Sequence, residues 1–223
     1  MEGANIPDFN QLQTFQVNRP GEYEGTRQTL YDFQAYPAAG TTSLNFFQVP
    51  QGQSGKTIAD TNMETAGTLP APKHFLVQSI ELFFQPADDP VTVNNASDDE
   101  DAVVPNYTND LLKFANGGAL DFFIGSKSYL QEAPLGRFPP KTKLRNAFAA
   151  SLQSRQAVNA DSHNQVTMDY SAMDGRPYFI NPNILLTPTQ NFNVKLEWPT
   201  AVAVSGNARV GVVLDGILYR LSQ

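Results

Sequence analysis

Apolar and polar residues alternate most regularly near the C-terminus, in the stretch NFNVKLEW. Apolar residues stand at every second position from Phe192 to Trp198, and polar residues occupy the positions between them. Because successive side chains of a strand point to opposite faces, this pattern predicts a strand with one buried face and one exposed face. The stretch 208–221 is nearly continuously apolar and predicts a long strand. Its Asp215-Gly216 pair fits either a hairpin turn or a bulge, and we favour the bulge because the sequence ends two residues after Leu221.

Shorter apolar runs separated by glycine and proline predict further strands. The stretch 73–85 is apolar on both faces, which is typical of a strand covered on one side by a second sheet and on the other by a loop or a neighbouring subunit. One turn of helix is predicted at 110–115, and 144–156 fits helix or strand equally. The other predicted strands are 26–33, 41–49, 56–63, 119–124, 127–131, 165–170 and 178–186. Roughly ten strands with little helix predict an all-β fold, a jelly-roll β-sandwich.

The chain is expected to begin with an extended N-terminal arm, residues 1–24. Its scattered apolar residues, among them Phe9, Leu12 and Phe15, lie in a background rich in Gln and Asn, and prolines leave little room for a helix. Residues 25–223 hold all the predicted strands. Within them, 86–105 is a long polar excursion that carries most of the adjacent acidic residues.

Composition restricts the function classes more than it identifies one. The formal net charge is −7 and the sequence pI is about 4.7, which argues against nucleic-acid binding through a generally basic surface. The chain has no cysteine, which excludes disulfides, thiolate nucleophiles and cysteine-based metal sites. We see no signal-peptide pattern and no apolar run of about eighteen residues, so we expect synthesis and folding in a cytoplasm.

The motifs that resemble ligand sites have simpler explanations. The stretch from Gly52 to Thr57 is similar to a phosphate-binding loop in its Gly-Lys-Thr ending, but Pro50 replaces the first glycine and no helical period follows. We interpret it as a turn. The acidic run 98–101 within the loop 88–101 lacks the spaced pattern of a calcium loop, so we interpret it as solvated, with cation binding left open. The basic residues Lys141, Lys143, Arg145 and Arg155 are interpreted in the same way, as a solvated face.

Candidate catalytic residues are equally sparse. His74 and His163 stand far apart, with no partner at the spacing of a metal site or a catalytic triad. Glu81 and Glu197 are the only carboxylates on regular structure that could serve glycoside hydrolysis, and alternation places Glu197 on the polar face opposite Trp198, which favours a surface role for it. We therefore expect no enzyme activity, no metal and no cofactor. A polar arm, strands that are apolar on both faces and stiff loops instead suit a protein that packs against copies of itself.

Four stretches together carry a resemblance to a known family: 61–84, 118–140, 170–199 and 210–220. The chain resembles the jelly-roll major capsid proteins of tailless icosahedral bacteriophages, over about half of its length. The resemblance implies a structural virion protein made in the host cytoplasm, homotrimers that assemble into a capsid lattice, and contact with other capsid proteins such as a penton. It also implies an N-terminal arm that reaches beneath neighbouring subunits or toward an internal membrane, and no specific nucleic-acid partner.

The number of jelly rolls and the subunit contacts follow as expectations. The resemblance favours two compact jelly rolls with a boundary near 105–118, and we expect that arrangement. The alternative, one jelly roll with additions, is favoured by our count of predicted strands. Besides the arm residues Phe9, Leu12 and Phe15, we expect subunit contacts at Leu135, Arg137 and Phe138 in the PLGRFPP loop, although Phe138 fits a core anchor equally well. The alternative function is a receptor-binding or carbohydrate-binding β-sandwich module, such as a minor spike.

Overall fold

A computed structural model describes residues 23–85, 107–138, 151–152, 166–167, 177–204 and 206–221. About half of these residues belong to two four-stranded antiparallel sheets that pack face to face as an all-β sandwich. The elements are β1 (Tyr23–Tyr36), β2 (Ser43–Phe46), β3 (His74–Gln85), α1 (Tyr107–Gly117), β4 (Ala119–Ile124), β5 (Lys127–Glu132), a 3-10 turn (Leu135–Arg137), β6 (Ser151–Leu152), β7 (Val166–Thr167), β8 (Tyr178–Leu186), β9 (Phe192–Glu197) and β10 (Ala208–Leu221). Sheet A has the order β1-β10-β3-β8, and sheet B has the order β2-β9-β4-β5. Within the described part of the chain, the short strands β6 and β7 pair with each other and with no other strand.

The strands pair in a nested order along the chain. β1 pairs with β10, β2 with β9, β3 with β8, and β4 with β5, always antiparallel. Successive pairs alternate between the two sheets, and the contacts of β10 with β3 and of β9 with β4 join the pairs within each sheet. The eight strands of the two sheets therefore form four nested antiparallel pairs that alternate between the sheets.

The core lies between the sheets and is built from the inward positions of their strands. In β9, Phe192, Val194 and Leu196 are almost fully buried, as is Trp198 just after the strand. The alternation predicted for this stretch is confirmed. In β10 the inward positions are equally buried, and the strand runs unbroken past Asp215. The long strand is therefore confirmed and the hairpin turn is absent. The bulge predicted within this strand is not in β10, because its pairing with β1 stays in register at Asp215 and Gly216.

An aromatic cluster closes one end of the sandwich and attaches α1 to it. Phe114 of α1 lies with its ring centroid 4.9 Å from that of Phe84 in β3 and 5.3 Å from that of Trp198. The Trp198 indole N–H donates to the carbonyl of Phe114 at 3.3 Å, so the polar edge of a buried ring is satisfied. Gly118 is required beside them, because a Cβ there would lie 2.5 Å from the indole nitrogen. The predicted turn of helix is thus a longer helix whose apolar side caps the core.

A β-bulge changes the face that β3 presents. Asp215 lies opposite Ser79, but Gly216 lies opposite Val77, so Gln78 is an extra residue in β3. The bulge shifts the inward-facing positions from odd to even residue numbers along β3. Val77 and Ile80, which regular alternation would place on opposite faces, therefore both point into the core and are fully buried. Leu76, which simple alternation groups with Ile80, is only half-buried and lies on the outer face of sheet A.

The prediction of a strand at 56–63 was wrong. Thr57 and Asp60 form a local turn, in which the Asp60 carboxylate accepts from both the amide and the hydroxyl of Thr57 at 2.9 Å. Such side chains offer the backbone partners that compete with a ladder. Only Thr61 makes a bridge, to Asp32 of β1. Outside the described residues lie the predicted arm up to residue 22, the acidic run 98–101 and most of 144–156.

Candidate interaction surfaces

The PLGRFPP loop holds three of the predicted subunit contacts, and the structure places two of them in the core. Leu135 and Phe138 are 0% and 1% exposed, so neither side chain is available to another subunit in this conformation. The 3-10 turn directs both inward, and the Leu135 amide donates to the carbonyl of Gly118 at 2.9 Å. For Phe138, burial matches the alternative given above, that this side chain anchors the loop in the core of its own chain. Arg137 alone reaches the surface, and a subunit contact there stays a prediction.

A polar cluster beside that loop links the two sheets. The Tyr178 hydroxyl of β8 in sheet A donates to the Glu132 carboxylate of β5 in sheet B at 2.8 Å. Arg137 forms an ion pair with the same carboxylate, and its guanidinium lies 5.9 Å from the centre of the Tyr178 ring. The hydrogen bond to Glu132 raises the pKa of Tyr178, and burial of the phenol raises it further by a smaller amount. The Tyr178 phenol therefore stays neutral and donates its hydrogen bond, so the cluster connects sheet A to sheet B.

The Gly-Lys-Thr stretch is a turn, as predicted, but its lysine has a specific partner. Lys56 reaches inward to the carboxylate of Asp32, which is fully buried on the inner side of β1. The other oxygen of that carboxylate accepts from the Phe47 amide at 2.7 Å. Phe47 has a φ of 68°, a conformation that a phenylalanine adopts only under constraint from its surroundings. These contacts fasten the loop 47–63 against β1 and leave Lys56 no phosphate-binding role.

The outer face of sheet A carries a shallow depression where β3 and β8 depart from regular pairing. Phe179 lies opposite Ser79 and Ile184 opposite Val77, so four residues of β8 face the single residue Gln78. The Phe179 ring stands at the rim and is 73% exposed. On the other side, Arg27 of β1 pairs with Asp215 of β10 at 2.9 Å. The depression thus combines one exposed ring with several side chains that donate or accept hydrogen bonds.

The described residues contain no converging set of catalytic or metal-binding groups. Glu81 lies in sheet A and Glu197 in sheet B, and their strands are not neighbours. The His74 ring packs edge-on against Tyr23 and lies 3.1 Å from the Pro72 carbonyl. Within the described ranges, no three His, Asp or Glu side chains are placed to share a metal ion. None of the helices in those ranges has the length and apolar character needed to cross a membrane.

Comparisons with known proteins give no independent assignment. Neither protein-family models, nor curated protein sequences, nor solved structures match the chain. The surfaces described above therefore have to be interpreted from their own chemistry. Phe179 and its depression were missed by the sequence analysis, because a phenylalanine within a strand pattern is expected to be buried.

Proposed function

We propose that the chain is a single jelly roll. A jelly roll is an eight-stranded double-sheet fold made of two Greek keys, and it arises when an antiparallel ribbon of four strand pairs rolls up so that alternate pairs fall in alternate sheets. The nested pairing of β1 with β10, β2 with β9, β3 with β8 and β4 with β5 has this form. Among the described residues, the eight strands of the two sheets belong to one sandwich, which favours one jelly roll over the two compact ones that the resemblance implies.

We infer that the protein is a structural virion protein, the major capsid protein of a tailless icosahedral bacteriophage. The nested strand order supports the fold that this proposal requires. Jelly rolls also occur in lectins and cupins, so the fold alone does not select a function. The resemblance of four stretches of the sequence to capsid proteins makes that selection. In this proposal the partners are other copies of the chain, as homotrimers and then as a lattice, with a penton protein and an internal membrane as further neighbours.

The mechanism proposed is assembly of rigid units through weak contacts that are repeated many times. Antiparallel ladders and a core without unsatisfied buried side-chain polar atoms, among the described residues, make the sandwich a stiff body. The outer face of sheet A is half-buried and apolar at Leu76, Phe83, Val213 and Ile217. Its charges are paired within the chain, such as Arg27 with Asp215, so packing this face on another subunit requires little desolvation of free charge.

The experiment that tests this proposal is assembly of the purified full chain. We expect sedimentation velocity to show a trimer, and electron microscopy to show regular closed particles under some conditions of salt and pH. A Val213→Lys variant places a charge on the outer face of sheet A and should abolish particles while leaving the circular dichroism spectrum unchanged. A protein that stays monomeric at high concentration and forms no particles in any condition would rule out the capsid function.

One observation favours a second candidate, a receptor-binding or carbohydrate-binding module. An exposed aromatic ring can stack on the C–H face of a sugar, while planar polar side chains hold its hydroxyls, and the depression beside Phe179 offers both. A glycan array would show specific binding that is lost in Phe179→Ala. Tyr129→Ala is the matched control, because Tyr129 is 49% exposed in sheet B and far from the depression in strand order. Absence of binding to any glycan would exclude this candidate.

A further inference from the structure

β1 is an edge strand of sheet A, and alternate residues along it direct their backbone groups away from the sheet. In an antiparallel ladder, every second residue of an edge strand has its N–H and C=O turned outward. Tyr31 identifies the outward-facing residues of β1. Its amide donates to the Asn62 side chain and its carbonyl accepts from the Asn62 amide, both on the side away from β10. The odd-numbered residues of β1 therefore present the outward groups, and the even-numbered ones bond to β10.

The second half of this edge is covered by the loop 57–63. The Phe33 amide donates to the Asp60 carbonyl at 2.7 Å, and the Tyr31 amide donates to the Asn62 side-chain oxygen at 3.0 Å. The Asn62 side-chain amide in turn donates to the Thr29 carbonyl at 2.7 Å. From Thr29 onward, the loop thus serves as a substitute strand and protects the edge.

The first half of the edge has no such cover among the described residues. The outward N–H and C=O groups of Tyr23, Gly25 and Arg27 have no hydrogen bond within the described ranges, and 25–28 are exposed. A row of backbone donors and acceptors at strand spacing, without partners in the described ranges, is matched group for group by another extended backbone. The open edge, residues 23–28, is therefore a site for strand addition.

We propose that the open edge pairs antiparallel with the same edge of a second copy of the chain, about a two-fold axis at Gly25. This register brings the outward groups of Tyr23 opposite those of Arg27 and pairs Gly25 with itself. It also places Glu24 opposite Thr26, so no like charges face each other. The loop that covers Thr29 limits the ladder to this short length. The contact is self-complementary, as an isologous interface must be, and it goes beyond the capsid function because it joins two copies whether or not a shell forms.

Because the chain has no cysteine, introduced thiols give a specific test of this register. Positions 24 and 26 of the two copies form a non-hydrogen-bonded pair, in which Cα atoms approach to about 4.5 Å and a disulfide is feasible. Glu24→Cys/Thr26→Cys should therefore give a covalent dimer on mild oxidation, seen on a non-reducing gel. Asn193→Cys/Lys195→Cys is the matched control. It has the same spacing on the outer side of β9, an interior strand of sheet B, and should remain mostly unlinked.

A second variant tests the hydrogen bonds themselves. Gly25→Pro removes an outward N–H and leaves the bonds between β1 and β10 in place, which edge strands tolerate. It should raise the dimer dissociation constant in sedimentation equilibrium by about tenfold or more, since two bonds per dimer are lost. A covalent dimer without particles would support edge pairing while counting against the capsid function. A monomer that forms no linked dimer would overturn the proposal. So would slow amide exchange of Gly25 and Arg27 in a monomer, because it would mean that the chain covers its own edge.

Discussion

The buried ion pair between Asp32 and Lys56 supports a sharp prediction about stability. The side chain of Asp32 is 0% exposed and that of Lys56 is 13% exposed, so the two charges differ in their access to water. Lys56→Met leaves a fully buried carboxylate with the Phe47 amide as its remaining described partner. Leaving one member of a buried pair uncompensated costs about 3–5 kcal/mol, and we expect a loss in this range.

The reverse substitution should be milder. In Asp32→Asn the side-chain oxygen still accepts from the Phe47 amide, and the Lys56 ammonium is close enough to the surface to regain water by a change of rotamer. We expect a loss of about 1–3 kcal/mol, the value of a hydrogen bond to a charged group. The double variant should lose less than the sum of the two single variants, because the two residues contact each other.

Urea unfolding followed by intrinsic fluorescence and circular dichroism measures these losses as changes in the free energy of unfolding. Lys73→Met is the matched control, since Lys73 pairs with Glu64 at the surface and its loss should change stability by less than about 1 kcal/mol. If Lys56→Met proved no more harmful than this control, or milder than Asp32→Asn, the account of the buried pair would be refuted.

Three further predictions concern the PLGRFPP loop, Gly211 in sheet A and the stability of the fold at low pH. Phe138→Ala should lower the free energy of unfolding by about 3–5 kcal/mol, whereas Arg137→Ala should change it by less than about 1 kcal/mol; equal effects in urea unfolding would contradict the core placement of Phe138. Gly211→Val should cost about 1–3 kcal/mol, because a Cβ there would overlap the Phe33 ring, and an unchanged urea midpoint would show that the ring moves aside freely. Hydrogen bonds from the amide and hydroxyl of Thr57 and, less strongly, Arg209 lower the pKa of Asp60. The ionised Asp60 carboxylate therefore stabilises the fold fully above the pKa that Asp60 has in the unfolded chain. This stabilisation is lost as the pH falls through the lowered pKa of the folded state. Asp60→Asn should therefore flatten the fall of the urea midpoint in acid, and an unchanged slope would contradict this.

The outcome for the candidate surfaces shows where prediction from the sequence ends. The loop with Leu135 and Phe138 was identified as important, but its burial depends on α1 and β8, which are distant in sequence. Phe179 is exposed because it lies in the edge strand β8 between Tyr178 and Ile180, which both face the core, and the apolar run Tyr-Phe-Ile does not reveal which face points outward. Lys56 looked like part of a ligand loop because its partner, Asp32, stands 24 residues away in a strand where a buried carboxylate is unexpected.

The sequence by itself determined the strand content, most strand positions and the inward face of β9, because the period of two is a local property of extended backbone. It also indicated an irregularity near the Asp-Gly pair, but assigned it to β10, whereas the extra residue belongs to β3, which pairs with β10 there. Only the tertiary structure decided which strands pair, where Gln78 reverses the faces of β3, and which edge of sheet A stays open. Those features depend on hydrogen bonds and packing between segments far apart in the chain, and the energy of such contacts cannot be evaluated until the partner segment is known.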